Sequence, residues 1–143
     1  MIMKVSDILQ TKGSNVYSII SGVTVYDALK EMGQKNVGAL LVMENDQLLG
    51  IISERDYARK IILKGKTSHD TLVKEIMTEK VISVSPEDNI EKCMELMSER
   101  KVRHLPVIKD EKVTGVISIT DVVTAIIESQ KETISLLHNY ISQ

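Results

Sequence analysis

Two stretches decide the fold: Gly50-Ile51-Ile52-Ser53-Glu54-Arg55-Asp56 and Gly115-Val116-Ile117-Ser118-Ile119-Thr120-Asp121. They lie 65 residues apart and share a glycine, two apolar residues, a serine and an aspartate in the same order. A shift of 65 residues also superimposes the flanking segments without a gap, so that Met32 falls on Met97. Two related units therefore fill most of the chain, and the fold has to be sought as a repeat.

Each unit follows the order β-α-β-β-α in its residue pattern. An apolar run comes first, apolar residues at helical spacing follow, and two further runs are joined by polar turn residues. The predicted strands are 16–20, 38–43, 48–52, 81–84, 104–108 and 112–117, and the predicted helices are 24–36, 54–64, 87–100 and 119–129. Since so small a sheet is covered well only when the copies pack together, we expect an α/β (α+β) fold forming one body with pseudo-twofold symmetry.

Local signals mark where helices begin and where the repeats end. The segment Ser85-Pro86-Glu87-Asp88 predicts a helix start with Ser85 as N-cap and proline in the first turn. Thr24 with Asp27 is its weaker counterpart. The predicted boundaries are repeat one at 1–64, a polar linker at 65–71, repeat two at 72–127 and a helical tail at 128–143.

The tail carries an apolar stripe. Ile134, Leu137 and Ile141 recur at helical spacing, with Tyr140 beside them. This pattern is typical first of a helix that packs on its own domain, and the alternative is a helix that makes a dimer contact or docks a partner. The sequence leaves both alternatives open.

Composition bounds the class of function. Eighteen basic against 20 acidic residues give a formal net charge of −2, which offers no general attraction to nucleic acid or to an anionic membrane. No apolar run approaches the roughly 20 residues of a membrane span. The single cysteine, Cys93, excludes an internal disulfide and fits a reducing compartment, so we expect a cytoplasmic protein. The three histidines are scattered, and we expect no metal site and no catalytic set.

The serine and aspartate of each repeated stretch allow two interpretations. Ser53 and Asp56 are three residues apart where a strand meets a helix, which is the spacing of a capping box. The same geometry suits a nucleotide, because a helix N-terminus offers free N–H groups to phosphate and a carboxylate can accept hydrogen bonds from ribose hydroxyls. From the residues alone, the two interpretations are evenly matched.

The paired stretches resemble the nucleotide signature of cystathionine-β-synthase (CBS) repeats. Met77-Thr78 and Arg103-His104-Leu105-Pro106-Val107 are similar to further motifs of that family. The whole chain resembles the stand-alone bacterial members, which carry two repeats and a helical tail. The resemblance implies a regulatory module that senses adenosine-containing ligands and forms a flat homodimer, and not an enzyme.

The resemblance also implies two nucleotide pockets, each drawing on both repeats. The first pocket would comprise Ser118, Thr120, Asp121, Lys12, Gly13, Asn15, Val16, Tyr17, Val37, Gly38 and Ala39. The second would comprise Ser53, Arg55, Asp56, Lys80, Val81, Ile82, Val102, Arg103, His104 and the nearby Pro106. Since Arg55 stands where the first pocket has Thr120, we expect the second pocket to hold more phosphate.

The predicted function is therefore a nucleotide sensor that changes conformation and acts on an unidentified partner protein. Stand-alone relatives favour AMP or NAD(H) as the ligand, with ADP, ATP and S-adenosylmethionine as alternatives. Two other classes compete with this prediction: a structural adaptor whose nucleotide sites are vestigial, and an enzyme that hydrolyses the bound nucleotide. The enzyme is disfavoured because the signature offers no group that would activate water.

Overall fold

A computed structural model describes residues 3–142, and its elements follow the predicted repeat. The last residue of the predicted tail, Gln143, lies outside the described residues. The helices are α1 (Val5–Lys12), α2 (Val25–Lys35), α3 (Glu54–Lys60), α4 (Val73–Ile76), α5 (Ile90–Arg100) and α6 (Ile119–Ile141), with a 3₁₀ turn at Ile62–Lys64. The strands are β1 (Ser18–Ile19), β2 (Ala39–Glu44), β3 (Gln47–Ser53), β4 (His104–Lys109) and β5 (Lys112–Ser118). The predicted mixed α/β class is confirmed.

Both predicted hairpins form, with tighter turns than the sequence indicated. In β2–β3, Glu44 pairs with Gln47, so only Asn45 and Asp46 make the turn. Their φ angles are 51° and 62°, which is the left-handed pair that a two-residue hairpin of native twist requires. The β4–β5 hairpin repeats this turn 65 residues later, with Asp110 and Glu111 at φ 51° and 64°.

The described chain divides into two compact units. The contiguous unit comprises residues 16–82, and the discontinuous unit comprises residues 3–15 together with 83–142. In the contiguous unit, β1 runs parallel to β2 and β3 antiparallel to it. Its core is aliphatic, as the lack of Phe and Trp predicts: Val25, Ala28, Met32, Leu40, Val42, Ile52, Ile61, Val73 and Ile76.

The discontinuous unit is built in the same way around the β4–β5 hairpin. Helices α1 and α5 pack against α6, and α1 also contacts β5. Its buried apolar side chains include Val5, Ile8, Val84, Ile90, Cys93, Met97, Leu105, Val107, Ile117, Val122 and Ala125. Cys93 is buried on the apolar face of α5.

Helix α1 belongs with the second repeat because its free backbone donors find partners there. The N–H of Val5 donates to the carbonyl of Asp88 at 2.9 Å. Helix α4 is the counterpart in the contiguous unit, where the N–H of Val73 donates to Val23 at 2.8 Å. Such bonds satisfy donors that every helix N-terminus leaves open. The boundaries 1–64 and 72–127 follow the repeat in the sequence and stay a prediction.

The first strand of each repeat is shorter than predicted. Strand β1 covers two residues, and Val84 makes only a single parallel bridge with Val107. The difference between the repeats follows from Pro106. In the first repeat Leu41, its counterpart, donates to the Tyr17 carbonyl at 3.2 Å, but proline has no N–H to donate to Ile82.

Helix α5 begins later than the sequence predicted. Ser85 is not its N-cap, because the Asp88 carboxylate accepts the Ser85 N–H at 2.8 Å and closes a turn before the helix. The N-cap is Asn89, whose side chain accepts from the Lys92 N–H at 2.8 Å. Thr24, 65 residues earlier, caps α2 in the same way, so that predicted start is confirmed.

The last helices of the two repeats differ in length. Helix α3 ends at Lys60 and the chain turns at Gly65, whose φ of 70° suits glycine. Gln130 occupies the corresponding place in the second repeat, and α6 continues unbroken to Ile141. The predicted helix 119–129 and the predicted tail are therefore one helix of 23 residues. Beyond Gln130 its apolar side chains are exposed, so the tail does not pack on its own unit.

Candidate functional site

The Asp56 corner, formed by Ser53 and Asp56, lies where β3 meets α3. The Asp56 N–H donates to the Ser53 hydroxyl oxygen at 3.2 Å, and the Ser53 N–H donates to Asp56 Oδ2 at 3.0 Å. These reciprocal bonds are a capping box. The structural role that the spacing predicts is therefore present.

The Asp121 corner, formed by Ser118 and Asp121, repeats this geometry where β5 meets α6. The Asp121 N–H donates to the Ser118 hydroxyl oxygen at 3.2 Å, and the Ser118 N–H donates to Asp121 Oδ2 at 2.8 Å. The Asp121 side chain keeps 20% of its surface exposed. A capping aspartate that remains accessible can also accept a hydrogen bond from a ligand.

A lysine ammonium pairs with each corner aspartate, but the two lysines come from different elements. Lys60 lies one turn after Asp56 on α3, with its Nζ 3.1 Å from Asp56 Oδ1. Lys12 comes from α1 instead, and its Nζ lies 2.7 Å from Asp121 Oδ2. The position corresponding to Lys60 is Ala125, which is buried and uncharged. The second repeat thus obtains its cation from a helix far away in the sequence.

Each lysine is held by a second acceptor. Lys12 Nζ donates to the Val116 carbonyl at 2.9 Å, and Lys60 Nζ donates to the Ile76 carbonyl at 2.8 Å. Sequence reasoning named Lys12 but missed Lys60. The signal that could have found Lys60 is its distance of four residues from an aspartate on a helix, which is the spacing of a helical ion pair.

His104 shares its surroundings with the Asp121 corner. It lies at the start of β4, opposite Ser118 in the register of the hairpin. Burial lowers its pKa, the positive charges of Lys12 and Arg103 act in the same direction, and the Asp121 carboxylate opposes them. Two cations and one carboxylate therefore act on the same small region of the discontinuous unit.

The predicted site residues divide between the two units. The discontinuous unit holds Lys12, Gly13, Asn15, Val102, Arg103, His104, Pro106, Ser118, Thr120 and Asp121. The contiguous unit holds Val16, Tyr17, Val37, Gly38, Ala39, Ser53, Arg55, Asp56, Lys80, Val81 and Ile82. Side-chain hydrogen bonds join Lys12 with Asp121 and Ser118 with Asp121 in the former unit, and Ser53 with Asp56 in the latter. In the hairpin registers, His104 lies opposite Ser118 and Ala39 lies opposite Ser53.

A pocket of about 320 Å³ opens beside the C-terminal end of α2 in the contiguous unit. The predicted site residues Val37 and Gly38 line it, together with Leu29, Met32, Gly33, Asn36 and Glu54. Its walls are polar and apolar in roughly equal parts, and Asn36 and Glu54 contribute the polar side chains of the lining.

Residues 3–142 lack the features of two other kinds of site. No three or more His, Cys, Asp or Glu side chains of this stretch gather in a way that could ligate a metal ion. In the same stretch, no helix has both the length and the apolar character needed to cross a membrane.

Comparison with known proteins gives consistent relatives. The sequence model of the CBS domain matches residues 5–63 and 73–128. The CBS domain-containing protein CBSX3, mitochondrial, from Arabidopsis thaliana is 44% identical over 146 residues, which cover 96% of this chain and 71% of the relative. Since that relative is described as mitochondrial, the cytoplasmic location expected here stays a prediction.

Solved structures agree with the fold. A protein with CBS domains from Burkholderia ambifaria has a TM-score of 0.86 and 45% identity, covering 90% of this chain and 96% of its own. The CBS domain pair of protein MJ0100, solved in complex with 5′-methylthioadenosine and S-adenosyl-L-methionine, has a TM-score of 0.77 and 24% identity, with coverage of 91% and 99%. At that identity the second likeness concerns the fold alone.

Proposed function

This chain belongs to the CBS domain family, and on that premise we propose that it is a regulatory module that binds an adenosine-containing ligand at the Asp121 corner. Proteins of this family act as regulatory or signalling modules. The ligand of this chain and its action on a partner protein are the parts that we propose.

The availability of the Asp121 carboxylate carries the proposal. Asp121 Oδ2 accepts both from the Ser118 N–H and from Lys12, so Oδ1 is the oxygen proposed to accept from a ribose hydroxyl. At the Asp56 corner both oxygens are engaged, Oδ2 by Ser53 and Oδ1 by Lys60 at 3.1 Å. We therefore rank the Asp121 corner as the stronger site and the Asp56 corner, with Arg55, as the weaker one.

The charges around the Asp121 corner support a ligand with phosphate. Lys12 and Arg103 bring two positive charges close enough to act on His104. The corner also opens the 23-residue α6, whose N-terminal end favours negative charge. A nucleoside monophosphate offers both a cis-diol for the carboxylate and an anion for the cations. Among the predicted ligands we therefore favour AMP, with Thr120, Gly13 and Asn15 near its phosphate.

The related fold of MJ0100 supports the ligand class. That protein was solved with two adenosine compounds, 5′-methylthioadenosine and S-adenosyl-L-methionine, and neither of them carries a phosphate. Adenosine recognition is therefore compatible with this fold, and the phosphate preference has to come from the residues of this chain. NAD(H), ADP, ATP and S-adenosylmethionine remain the competing ligands.

Regulation would follow from the thermodynamic linkage between nucleotide binding and partner binding. A partner protein that binds the liganded form more tightly than the free form shifts the population toward that form. By reciprocity, that partner must also raise the affinity for the nucleotide by the same factor. We propose no chemical step on the nucleotide, so the chain is not assigned an enzymatic activity.

Thermal melting of the nucleotide-stripped protein tests the proposal. The panel comprises AMP, adenosine, ADP, ATP, NAD, NADH, S-adenosylmethionine and 5′-methylthioadenosine. A ligand at about one hundred times its Kd adds roughly 2.7 kcal/mol to the free energy of unfolding, which raises the Tm by several degrees. We expect AMP to raise the Tm more than adenosine does at equal concentration.

Matched variants locate the site. Asp121→Asn retains an oxygen that can accept the Ser118 N–H, so the helix cap survives while the charge is lost. We expect Asp121→Asn to abolish most of the AMP shift and Asp56→Asn to preserve most of it. The proposal is wrong if no adenine compound at millimolar concentration changes the Tm, or if Asp121→Asn leaves the shift intact.

The exposed tail favours a second candidate function. Apolar side chains of α6 such as Ile134 and Leu137 remain 66% and 57% exposed, which is typical of an interaction surface. A structural adaptor would use this surface and leave both corners as helix caps only. That function predicts no nucleotide-dependent Tm shift but a tail-dependent association.

A further inference from the structure

Five of the exposed apolar side chains of α6 follow a heptad, whereas Leu136 and Tyr140 lie off it. Val123, Ile127, Ile134, Leu137 and Ile141 are 40%, 46%, 66%, 57% and 80% exposed. With Gln130 included, successive positions are separated by four, three, four, three and four residues. Such spacing places all six on one seam of a straight or gently supercoiled helix. We call these six residues the α6 seam.

The α6 seam is distinct from the face that holds α6 on its own unit. Val122 and Ala125 are buried at 0% and 8% exposure and form that face. The seam lies to one side of it, so a second helix could occupy the seam without displacing these core contacts. Because α6 is already anchored by its first two turns, the seam does not depend on a nucleation event of its own.

We propose that the α6 seam joins two copies of this chain in a parallel, in-register, two-stranded coiled coil. The residue types identify the partner. Isoleucine fills one core position of the seam throughout, at Ile127, Ile134 and Ile141, and β-branched residues at this position are typical of two parallel strands. The other core position holds Leu137 once, together with Val123 and Gln130.

Gln130 points to a second copy rather than to an unrelated apolar groove. A buried amide without a partner is unfavourable. In a parallel dimer in register, Gln130 meets Gln130 of the second copy, and each amide can donate to the other. A single polar core position of this kind also fixes the register of the two strands.

The flanking charges favour the parallel arrangement over the antiparallel one. In the parallel arrangement Thr133 faces His138 of the second copy, and no like charges meet. An antiparallel pairing that matches every seam position is centred near Glu132. It would bring Lys131 close to Lys131 of the second copy, where like charges repel.

Cysteine cross-linking of the full chain tests the coil independently of any dimer contact elsewhere. Leu137→Cys places a thiol in the seam, opposite its own copy in the parallel coil. Leu136→Cys is the matched control, because Leu136 is 66% exposed but lies off the seam. Native Cys93 is buried and gives little background.

We expect mild oxidation to cross-link Leu137→Cys at least about tenfold faster than Leu136→Cys, because the coil raises the local thiol concentration. Gln130→Cys should behave like Leu137→Cys. Equal rates for Leu137→Cys and Leu136→Cys would overturn the proposal. Cross-linking between Gln130→Cys and Ile134→Cys in a mixture, faster than either alone, would also overturn it by showing antiparallel strands. Neither result depends on nucleotide, so the coil and the sensor function fail or succeed separately.

Discussion

The carbonyl oxygen of Thr78 lies 2.8 Å from the point where a Cβ on Gly50 would stand. That carbonyl cannot retreat easily, because it accepts the Ile51 N–H at 3.0 Å while the Thr78 N–H donates back to Ile51 at 2.9 Å. Gly115 is the counterpart of Gly50, but there the close neighbour is the Leu9 side chain, with Cδ2 at 2.7 Å. The same glycine is therefore required for different reasons in the two repeats.

Alanine at these two glycines should have unequal costs. We expect Gly50→Ala to lower the free energy of unfolding by about 1 to 3 kcal/mol, because a hydrogen-bonded backbone must move. Gly115→Ala should cost less, since the Leu9 side chain can change rotamer. Urea denaturation of both variants measures the difference. An equal or larger loss in Gly115→Ala would contradict this explanation.

The capping residues offer a second test. Replacing Asn89 with alanine removes the acceptor for the Lys92 N–H and should cost about 1 kcal/mol. Thr24→Ala should cost a similar amount, whereas Ser85→Ala should cost less, because the Ser85 backbone N–H keeps its bond to Asp88. Denaturant midpoints of the three variants check this order. If Ser85→Ala lowered the denaturant midpoint more than the other two variants, Ser85 would be the N-cap of α5, as the sequence predicted.

Stability should depend on pH through His104. Burial, reinforced by Lys12 and Arg103, holds the pKa of His104 below its ordinary value of 6.5, and Asp121 opposes this only in part. The unfolded chain therefore binds the proton more readily, so stability is full above about pH 6.5 and falls as the pH drops through the lowered pKa. His104→Gln should flatten this dependence between about pH 7.5 and pH 5.5, measured by urea denaturation. A variant with the wild-type slope would exclude His104 as the cause.

Cys93 should be unreactive in the folded protein. Burial raises the pKa of its thiol to about 11, with the Asp88 charge acting in the same direction. Since the thiolate is the reactive form, a thiol reagent near pH 8 should label Cys93 only when the unit opens. Labelling should become rapid in urea above the unfolding midpoint. Rapid labelling without denaturant would show that α5 opens far more readily than its packing indicates.

Much of the fold was predictable because the repeat supplied each signal twice. The hairpin turns at Asn45 and Asp110, the α2 cap at Thr24 and the buried Cys93 all follow from local residue types. The first repeat has a two-residue strand at β1, whereas the second repeat has only a single bridge at Val84. This difference depends on the neighbouring strand, in which Pro106 stands where the first repeat has Leu41. The late start of α5 depended on the bond from Ser85 to Asp88, which competes with a good capping signal.

The residue types of the site were predictable from the sequence, but the ion pairs that these residues form were less so. The spacing of Ser118 and Asp121 indicated the corner, and the resemblance to CBS repeats named Lys12. That Lys12 bonds Asp121, while Asp56 obtains its cation from Lys60, depends on where α1 docks. Backbone hydrogen bonds such as that from Val5 to Asp88 determine this docking. Nearly every residue carries the same backbone groups, so these bonds cannot be predicted from residue types.

The placement of α1 also sets an order of events while the chain is being made. Residues 16–82 form a contiguous unit that can be completed as soon as they emerge from the ribosome. Residues 3–15 must wait until the segment from 83 onward has been synthesised before α1 finds its partners. During that interval the apolar face of Val5 and Ile8 has no core to join. Residues 3–15, although made before the contiguous unit, are thus among the last to reach their final place.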